Sequence, residues 1–402
     1  WLVSRQRAWG VPLTLFVEKG TTRVLNDHKV NARIVKAVAE DGADAWFERP
    51  ASEFLGDEYA ADDYEKVTDI LDVWFDSGCT HAFALEPRAD QKWPADLYLE
   101  GSDQHRGWFQ SSLLQSCGTR GRAPYDNVLT HGFVMAGDGR KMSKSLGNTL
   151  APNEIARKYG IEIMRLWVAA QDFTDDLRIS EEILQTSVDA YRKMRNTLRY
   201  LLGALHGYDE TVEHLPLERM PSLERWVLHR LQELDGVVKA GYAAYDFKKV
   251  YSALFNFCVV DLSAFYLDVR KDSLYCDRPD ADRRRACRTV MHEVFMRLTA
   301  WLAPIMPFTM EEVWLSRFPS EDDSVHLRTF PKTPQDWHNG ALAENWRTLR
   351  RLRRVVTGAL EVERREKRIG SSLEAAPVVH VADADLRALL EEHSQGALPG
   401  LQ

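Results

Sequence analysis

The chain contains 402 residues, 45% of them hydrophobic and 28% charged, and its formal net charge is −8 at pH 7. This length and composition indicate a globular protein of two or three domains, and no apolar run approaches the roughly 20 residues of a membrane span. The acidic balance excludes a protein whose entire surface binds nucleic acid, although one basic face remains compatible with it.

The first 135 residues mix strand and helix signals. The segments DILDVWF (69–75) and DLYLEG (96–101) predict strands, and GWFQSSLLQSC (107–117) predicts a helix after the second strand. NVLTHGFVMAG (127–137) predicts a further strand that ends at a turn-forming Asp-Gly pair. The order strand, helix, strand indicates a parallel sheet with a crossover helix.

From residue 152 onward the signals become helical. PNEIARKYG (152–160) predicts a short helix that proline opens and glycine closes. Apolar residues then recur every three or four positions, which predicts amphipathic helices near 183–205, 222–240, 247–270, 281–303 and 309–317. The predicted fold class is α/β followed by all-α, with domains over 1–180 and 181–335 and the opening of a third unit over 336–402.

The five cysteines are odd in number, and none belongs to a Cys-x-x-Cys pair. This pattern predicts reduced, mostly buried thiols in a cytoplasmic protein and no zinc site.

The segment GDGRKMSKSLGN (137–148) has the composition of an anion-binding loop. Lys141 and Lys144 cannot pair with each other, and Asp138 can neutralise only one neighbouring cation. The glycines permit unusual backbone angles and hinge motion. By composition alone a solvated linker would be favoured, and a P-loop is excluded because the Walker A pattern is absent.

The segment YLEGSDQHRGWF (98–109) runs from a predicted strand into a predicted helix. Polar residues therefore lie at the carboxyl end of a strand, where open α/β sheets bind ligands. The residues placed there are Glu100, Gly101, Ser102, Asp103 and Gln104. A carboxylate at this point can accept hydrogen bonds from ribose, although for Asp103 alone a helix cap is the commoner role.

These segments and two others resemble one family. The string KMSKS (141–145) resembles the signature of class I aminoacyl-tRNA synthetases, and 98–109 is similar to the adenylate-binding segment of isoleucyl-tRNA synthetases. WLVSRQRAWGVP (1–12) and LDVWFDSG (71–78) match further blocks of those enzymes. The resemblance implies the C-terminal half of a Rossmann-like catalytic domain, followed by an anticodon-binding helix bundle and a tRNA-contacting region.

The resemblance also implies roles for individual residues. Lys141 and Lys144 would be catalytic, stabilising the phosphates of ATP after a loop closure hinged near Gly137 and Gly139. Binding of ATP and the adenylate is implied for Glu100, Gly101, Asp103, Gln104, His131, Val134 and Lys144. Gly132 and Phe133 belong to the same strand end. Trp74 and Trp108 would line the amino-acid pocket, although core packing is the usual role of tryptophan.

The implied reaction has two steps. Isoleucine attacks the α-phosphate of ATP to form isoleucyl-adenylate and pyrophosphate, and the terminal ribose of tRNA(Ile) then accepts the acyl group. Neither step requires a nucleophilic side chain or a general base from the chain. Magnesium is expected with ATP rather than at an all-protein site.

A basic stripe is the candidate tRNA-binding surface. Arg192, Arg195 and Arg199 follow i, i+3, i+7 spacing on a predicted helix whose other face is apolar. A later helix carries Arg347, Arg350, Arg351, Arg353 and Arg354. A solvated face with intrahelical ion pairs is the alternative for any one stripe, but the resemblance favours contacts to tRNA phosphates.

Three features of the family pattern are absent from the sequence: the His-x-Gly-His signature, the editing domain and the cysteine-rich zinc module. We therefore expect an internal piece of a longer polypeptide, inactive alone, that acts as a monomer without contacting a membrane. Two alternatives remain open: a catalytically incompetent module that only binds tRNA or an adenylate, and a valyl-type synthetase.

Overall fold

The computed structural model describes residues 1–143 and 147–394. The chain divides into two compact units, one formed by residues 1–133 and the other beginning at Val134. Each unit has a core of its own. The predicted domain limits at 180 and 335 remain predictions.

The first unit combines short strands with helices. Its strands are β1 (Ser4–Arg5), β2 (Phe16–Glu18), β3 (Tyr64–Lys66), β4 (Ile70–Leu71), β5 (Ala95–Gly101) and β6 (Tyr125–His131). Its helices are α1 (His28–Asp41), α2 (Ala45–Glu48), α3 (Ala51–Leu55), α4 (Val73–Gly78) and α5 (Trp108–Arg120).

Residues 6–69 form a module that is inserted between β1 and β4. These two strands pair antiparallel, with Ser4 opposite Leu71, so the module begins and ends at neighbouring positions. Inside it, β2 pairs with β3, and α1 to α3 cover an apolar core. That core consists of Phe16, Val30, Ile34, Ala37, Ala45, Trp46, Phe54 and Leu55.

Strands β5 and β6 are parallel neighbours joined by the crossover helix α5. The buried face of α5 carries Ser111, Ser112 and Ser116, whose small side chains let α4 approach closely. A Cβ added to Gly78 of α4 would lie 3.0 Å from the Ser111 backbone. The predicted parallel sheet with a crossover helix is confirmed.

Two predicted strands are wrong in extent. Over 69–75 only Ile70–Leu71 is a strand, because Asp72 accepts a hydrogen bond from the Trp74 amide at 2.9 Å and caps α4. The predicted strand over 127–137 is two strands in the structure. The first, β6, ends at His131, and the second, β7 (Val134–Ala136), pairs with β8 (Leu177–Ile179).

The second unit is predominantly a helix bundle, as predicted. Its helices are α6 (Pro152–Tyr159), α7 (Ile161–Ala169), α8 (Glu181–Ala204), α9 (Glu210–Glu213), α10 (Ser222–Ala243), α11 (Phe247–Asn256), α12 (Leu267–Val269), α13 (Lys271–Tyr275), α14 (Asp282–Leu302), α15 (Pro307–Arg317), α16 (Gly340–Arg365) and α17 (Ala384–Ser394). Helix α14 is central, with Val290, Met291, Val294 and Leu298 fully buried among its neighbours.

One helical stretch in the bundle has the length and apolar composition of a membrane span. It covers Phe247–Val269, has a mean hydropathy of 1.5 and includes the π-helical turns of Phe257–Tyr266. The sequence predicts a helix near 247–270, and the structure confirms that the region is helical. Half of its apolar window is buried, and Leu254, Phe257, Leu262 and Tyr266 pack in the bundle core, which accounts for the apolar composition.

A buried ion pair links two helical segments of the bundle. Arg270 donates from Nε and Nη2 to the two carboxylate oxygens of Glu224, both at 2.5 Å, and both side chains are at most 2% exposed. Burial of two charges is costly, but removal of one partner costs more because it leaves the other charge unpaired.

We predict that Glu224→Gln lowers the free energy of unfolding by about 3 kcal/mol or more, because Arg270 then stays buried without a counter-charge. Urea denaturation of the chain measures the change. Asp282→Asn is the control, since Asp282 forms an ion pair at the surface, where Arg219 Nη2 lies within 2.8 Å of both carboxylate oxygens. The control should cost less than about 1 kcal/mol. Equal losses in the two variants would contradict the prediction.

Candidate functional site

The parallel register of β5 and β6 brings the predicted ribose-binding residues together. Gly101 lies opposite His131 and Glu100 opposite Thr130, so the carboxyl ends of the two strands meet. Glu100 is exposed, and His131 is half-buried with Nδ1 2.8 Å from the Gly132 carbonyl oxygen. The prediction that Glu100 and Gly101 lie at the carboxyl end of a strand is confirmed, and the register adds that His131 lies at the same edge.

The turn after β5 is a 3-10 helix over Ser102–Arg106 that orients two polar side chains differently. Gln104 accepts a hydrogen bond at Oε1 from the Trp108 amide at 3.0 Å, at the start of α5. Asp103 is exposed and accepts only a long contact of 3.4 Å from Gln104 Nε2. The capping bond to the first residue of α5 thus comes from Gln104, whereas the Asp103 carboxylate remains accessible.

The backbone of Gly101 lies close to this turn, in space that a side chain would need. A Cβ at Gly101 would lie 2.8 Å from Asp103 Oδ1. A side chain at position 101 would therefore displace the Asp103 carboxylate from the place that it occupies here.

The two predicted pocket tryptophans lie near each other but in different surroundings. Trp108 stacks on the buried Tyr98 ring, with centroids 4.2 Å apart and planes 2° from parallel, and its Nε1 donates to the Ser77 carbonyl at 2.9 Å. Trp74 is 40% exposed. A Cβ at Gly107 would lie 3.0 Å from the Trp74 ring, so the glycine makes room for it. Trp108 is a packed residue, and Trp74 is the accessible one.

In the second unit, a tight turn precedes Lys141. The Gly139 amide donates to the Ala136 carbonyl at 2.8 Å, and Gly139 has φ +80°, a value that favours glycine. Asp138 pairs with Arg140 at 2.6 Å. Hydrogen bonds from the Arg140 backbone and side chain lower the pKa of the Asp138 carboxyl.

Lys141 is exposed and forms no ion pair with residues 1–143 or 147–394. The nearest acid in sequence is thus used by Arg140, which leaves the Lys141 ammonium for another anion. Lys144, the second predicted catalytic lysine, lies outside the described residues.

Gly137, one of two predicted hinge residues, packs against the start of α8. A Cβ at Gly137 would lie 2.9 Å from the Ser180 Cβ, so the glycine is required by close approach. Hinge motion at Gly137 and Gly139 stays a prediction.

Sequence reasoning missed Asn148. Its Oδ1 accepts from the Ser143 amide at 2.9 Å, and its Nδ2 donates to the Lys141 carbonyl at 3.3 Å. The Asn148 side chain therefore bonds to the backbone of Lys141 and of Ser143, the two neighbours of Met142. An asparagine directly after a glycine was the available signal, because asparagine often bonds to nearby backbone groups in turns.

The arginine stripe on α8 faces solvent, as predicted. Arg192, Arg195 and Arg199 are all exposed, while Met194 and Leu198 between them are fully buried. Arg192 lies 3.7 Å from Asp189. Among the described residues Arg195 and Arg199 form no ion pair, so their charges are open to an external anion.

The arginines of α16 divide into two groups. Arg350 and Arg353 turn toward the bundle, where they pair with Asp261 at 2.6 Å and Asp268 at 3.6 Å. Arg351 and Arg354 are exposed, and Arg347 pairs with Glu344 on its own helix.

No group of three or more His, Cys, Asp or Glu side chains placed to hold a metal ion occurs among the described residues. The cysteines of this part of the chain are free thiols, but the prediction that most are buried is wrong, because Cys117 and Cys276 are exposed and Cys79 is half-buried. Burial raises the pKa of the Cys258 and Cys287 thiols to about 12, so these two are unreactive core residues.

Two family models match successive parts of the chain. Residues 1–180 match the tRNA synthetases class I (I, L, M and V), and residues 224–380 match the anticodon-binding domain of tRNA ligase.

Curated relatives are similar to the chain along almost its full length. The isoleucine–tRNA ligase of Caulobacter vibrioides is 61% identical over 97% of the chain, and that of Mesorhizobium japonicum is 59% identical over 98%. The isoleucine–tRNA ligase of Ruegeria pomeroyi is 58% identical over 98%. The chain spans 40%, 39% and 41% of these three relatives, respectively.

Among solved structures, the fold is similar to LeuRS of Agrobacterium radiobacter in its ternary complex with tRNA and LeuAMS. The TM-score is 0.63 at 16% sequence identity, and the match covers 84% of this chain and 43% of that one. The likeness supports a shared fold.

We predict that Asn148→Ala accelerates hydrogen exchange of the Ser143 amide by about tenfold, because loss of one hydrogen bond is worth on the order of 1 kcal/mol. Asn148→Asp is the matched control: it keeps the acceptor for Ser143 and loses only the donor to Lys141. Exchange measured by NMR or mass spectrometry on the loop peptide tests this. An unchanged Ser143 rate in Asn148→Ala would show that the side chain does not hold the loop.

Proposed function

The chain belongs to the class I tRNA synthetases of the isoleucine, leucine, methionine and valine group, and we propose that it acts as part of an isoleucine–tRNA ligase. The ligase would activate isoleucine with ATP and transfer it to tRNA(Ile). The observation that carries this proposal is the high identity to isoleucine–tRNA ligases, which continues through both compact units.

The strand-end cluster of the first unit would bind the nucleoside. Glu100 is an exposed carboxylate at the end of β5, suited to accept hydrogen bonds from ribose hydroxyls, and Gly101 lets the ligand approach the backbone. Asp103 adds a second accessible carboxylate, and Gln104 orders the turn by bonding the first amide of α5. The backbones of His131, at the end of β6, and of Val134, at the start of β7, would each contact adenine.

The two tryptophans would serve the amino acid in different ways. Trp74 offers an exposed ring edge against which an aliphatic side chain can pack. Trp108 would form the fixed side of the pocket, because its stacking on Tyr98 and its bond to Ser77 hold the ring in one orientation.

Adenylate formation would depend on positioning and electrostatics. The isoleucine carboxylate forms a bond to the α-phosphorus, the bond to the bridging oxygen breaks, and pyrophosphate leaves. Negative charge increases on the phosphate oxygens, and the ammonium groups of Lys141 and Lys144 would stabilise it. Asn148 would support this step by holding the backbone of Lys141.

Transfer to tRNA needs no protein nucleophile. The terminal ribose hydroxyl attacks the carbonyl carbon of isoleucyl-adenylate, and AMP leaves with the electron pair. Magnesium would enter with the phosphates of ATP, whose charge it neutralises. The ligase would work in the cytoplasm as a monomer.

A second candidate is a module that binds tRNA or an adenylate without catalysis. The observation that favours it is the exposure of Arg195 and Arg199, which form no ion pair among the described residues and can meet RNA phosphates without any catalytic group.

ATP–pyrophosphate exchange tests the proposed function. The longer ligase polypeptide that contains this chain should exchange labelled pyrophosphate into ATP when isoleucine is present, and far less when valine is present. The 402-residue chain alone should show no exchange. Exchange that responds to valine better than isoleucine would support a valyl-type enzyme, and no exchange with either amino acid would leave only the binding module.

We predict that Arg195→Glu weakens tRNA(Ile) binding by about tenfold, because a phosphate contact is replaced by repulsion. Binding is measured by filter retention in the longer polypeptide, and isoleucine-dependent exchange without tRNA should persist. Arg23→Glu is the control, since this exposed arginine lies in the module of the first unit. Equal affinity of wild type and Arg195→Glu would reject the stripe as a tRNA contact.

A further inference from the structure

Helix α4 supports both of the tryptophans assigned to the amino-acid pocket. Trp74 belongs to the first turn of α4, and its ring lies against Gly107, where an added Cβ would be 3.0 Å away. Trp108 lies at the start of α5, and its Nε1 donates to the Ser77 carbonyl of α4 at 2.9 Å. A shift or rotation of α4 would therefore change the positions of both rings.

The side of α4 that faces α5 is fixed by one glutamine. Gln115 of α5 donates from Nε2 to the Phe75 carbonyl at 2.8 Å and accepts at Oε1 from Cys79 Sγ at 2.5 Å. These bonds hold the middle and the end of α4 against α5. The first turn, which carries Trp74, is held from a different direction.

Asp72 joins this first turn to the segment of β1. Asp72 is 7% exposed; its Oδ1 accepts from the Trp74 amide at 2.9 Å, and its Oδ2 lies 2.5 Å from Arg5 Nη2. The Asp72 amide also donates to the Val3 carbonyl at 2.7 Å. One carboxylate thus connects the backbone of Trp74 to the guanidinium of Arg5.

The Arg5 guanidinium is itself held in place by backbone groups. Its Nη1 donates to the Leu2 carbonyl at 2.6 Å and to the Ser4 carbonyl at 2.9 Å. A guanidinium is planar and its N–H groups point in fixed directions, so these bonds determine where Nη2 meets Asp72. The first turn of α4 is therefore fixed relative to β1 by a charge pair whose cation has a set orientation.

Helix capping alone does not explain this arrangement. A helix cap needs a side-chain oxygen and no charge, since serine and asparagine cap as well as aspartate. Capping accounts for the bond from the Trp74 amide to Oδ1 but not for the ion pair at Oδ2. Because residues 6–69 separate Arg5 from β4, the ion pair fixes α4 relative to a distant part of the chain.

We propose that Arg5 and Asp72 are positioning residues that determine the selectivity of isoleucine activation. The inference rests on the proposed function. Neither side chain would touch the amino acid: Asp72 holds the backbone of Trp74, and Arg5 holds Asp72. Because isoleucine and valine differ by one methylene group, a small shift of Trp74 relative to Trp108 is enough to change the preference between them.

Asp72→Ser separates capping from positioning, because serine keeps an oxygen for the Trp74 amide but is too short to reach Arg5. In ATP–pyrophosphate exchange by the longer polypeptide, we predict that the KM for isoleucine rises about tenfold and the KM for ATP changes less than about twofold. The ratio of kcat/KM for isoleucine to that for valine should fall about fivefold. A lower kcat with an unchanged isoleucine KM and an unchanged ratio indicates a merely structural role and would overturn the proposal.

Asp69→Ala is the matched control. The Asp69 carboxylate accepts from Gln6 Nε2 at 2.9 Å, so it joins the same two segments of the chain at the neighbouring position without involving α4. The isoleucine KM and the selectivity of this variant should match those of the wild type. A loss of selectivity as large as that of Asp72→Ser would overturn the proposal.

A double variant tests whether the two residues act through each other. Arg5→Gln should also lower selectivity, and Arg5→Gln with Asp72→Ser should lower it no further than the more severe single variant, because both changes remove one ion pair. Multiplied effects would show independent roles and overturn the proposal. If thermal unfolding shows that Asp72→Ser is not folded, Arg5→Lys decides: it keeps the charge and should retain more selectivity than Arg5→Gln, and an equal loss would overturn the proposal.

Failure of the proposed function gives a different result from failure of this inference. If the unsubstituted polypeptide shows no isoleucine-dependent exchange, both are overturned. If it exchanges with isoleucine while Asp72→Ser keeps the wild-type KM and selectivity, only the positioning role of Arg5 and Asp72 is overturned.

Discussion

The parallel pairing of β5 and β6 is the constraint on which the candidate nucleotide site depends. Parallel strands need a crossover, and α5 supplies it while its buried serines let α4 approach. Both strands consequently end at the same edge, where Glu100 and Gly101 lie beside His131. Residues thirty positions apart become neighbours because of backbone register, and their side chains remain open because the ladder stops there.

The helix bundle shows how a strongly charged chain separates structural charges from accessible ones. The Arg270–Glu224 pair is enclosed in the core, where its geometry must be satisfied internally. Asp261 is also buried, but it accepts from Arg230 and Arg350, two arginines of different helices that are themselves half-buried. Arg195 and Arg199 lie outermost, on the side of α8 opposite its buried residues. Depth thus decides whether an arginine stabilises the fold or remains available to a ligand.

Much of this architecture could be predicted from the sequence, for identifiable reasons. The bundle helices were predictable because apolar residues recur with helical spacing. The β5–α5–β6 unit was predictable because its residue pattern changes from that of a strand to that of a helix and back. The strand predicted over 69–75 was wrong because a local side-chain bond, from Asp72 to the Trp74 amide, overrides the β-propensity of the following residues. The break after His131 was missed because partner choice among strands is a tertiary effect that composition does not encode.

The candidate site, too, was predictable only in part. Motifs placed Glu100 at the end of a strand, but only coordinates bring His131 beside it and distinguish the packed Trp108 from the exposed Trp74. Likewise five arginines in one helix look alike in sequence. Only Arg350 and Arg353 of these pair with Asp261 and Asp268, and that difference depends on how the helices pack.

The antiparallel pairing of β1 with β4 has a consequence for how this protein can change. Because residues 6–69 depart and return at adjacent positions, and Gln6 Nε2 donates to Asp69 at 2.9 Å across the neck, the module is attached through one narrow joint. Its core is contributed by its own residues. We expect an insertion at the exposed turn of Gly20 and Thr21 to disturb this module and not the pairing of β5 with β6, because the module's core is contributed by its own residues.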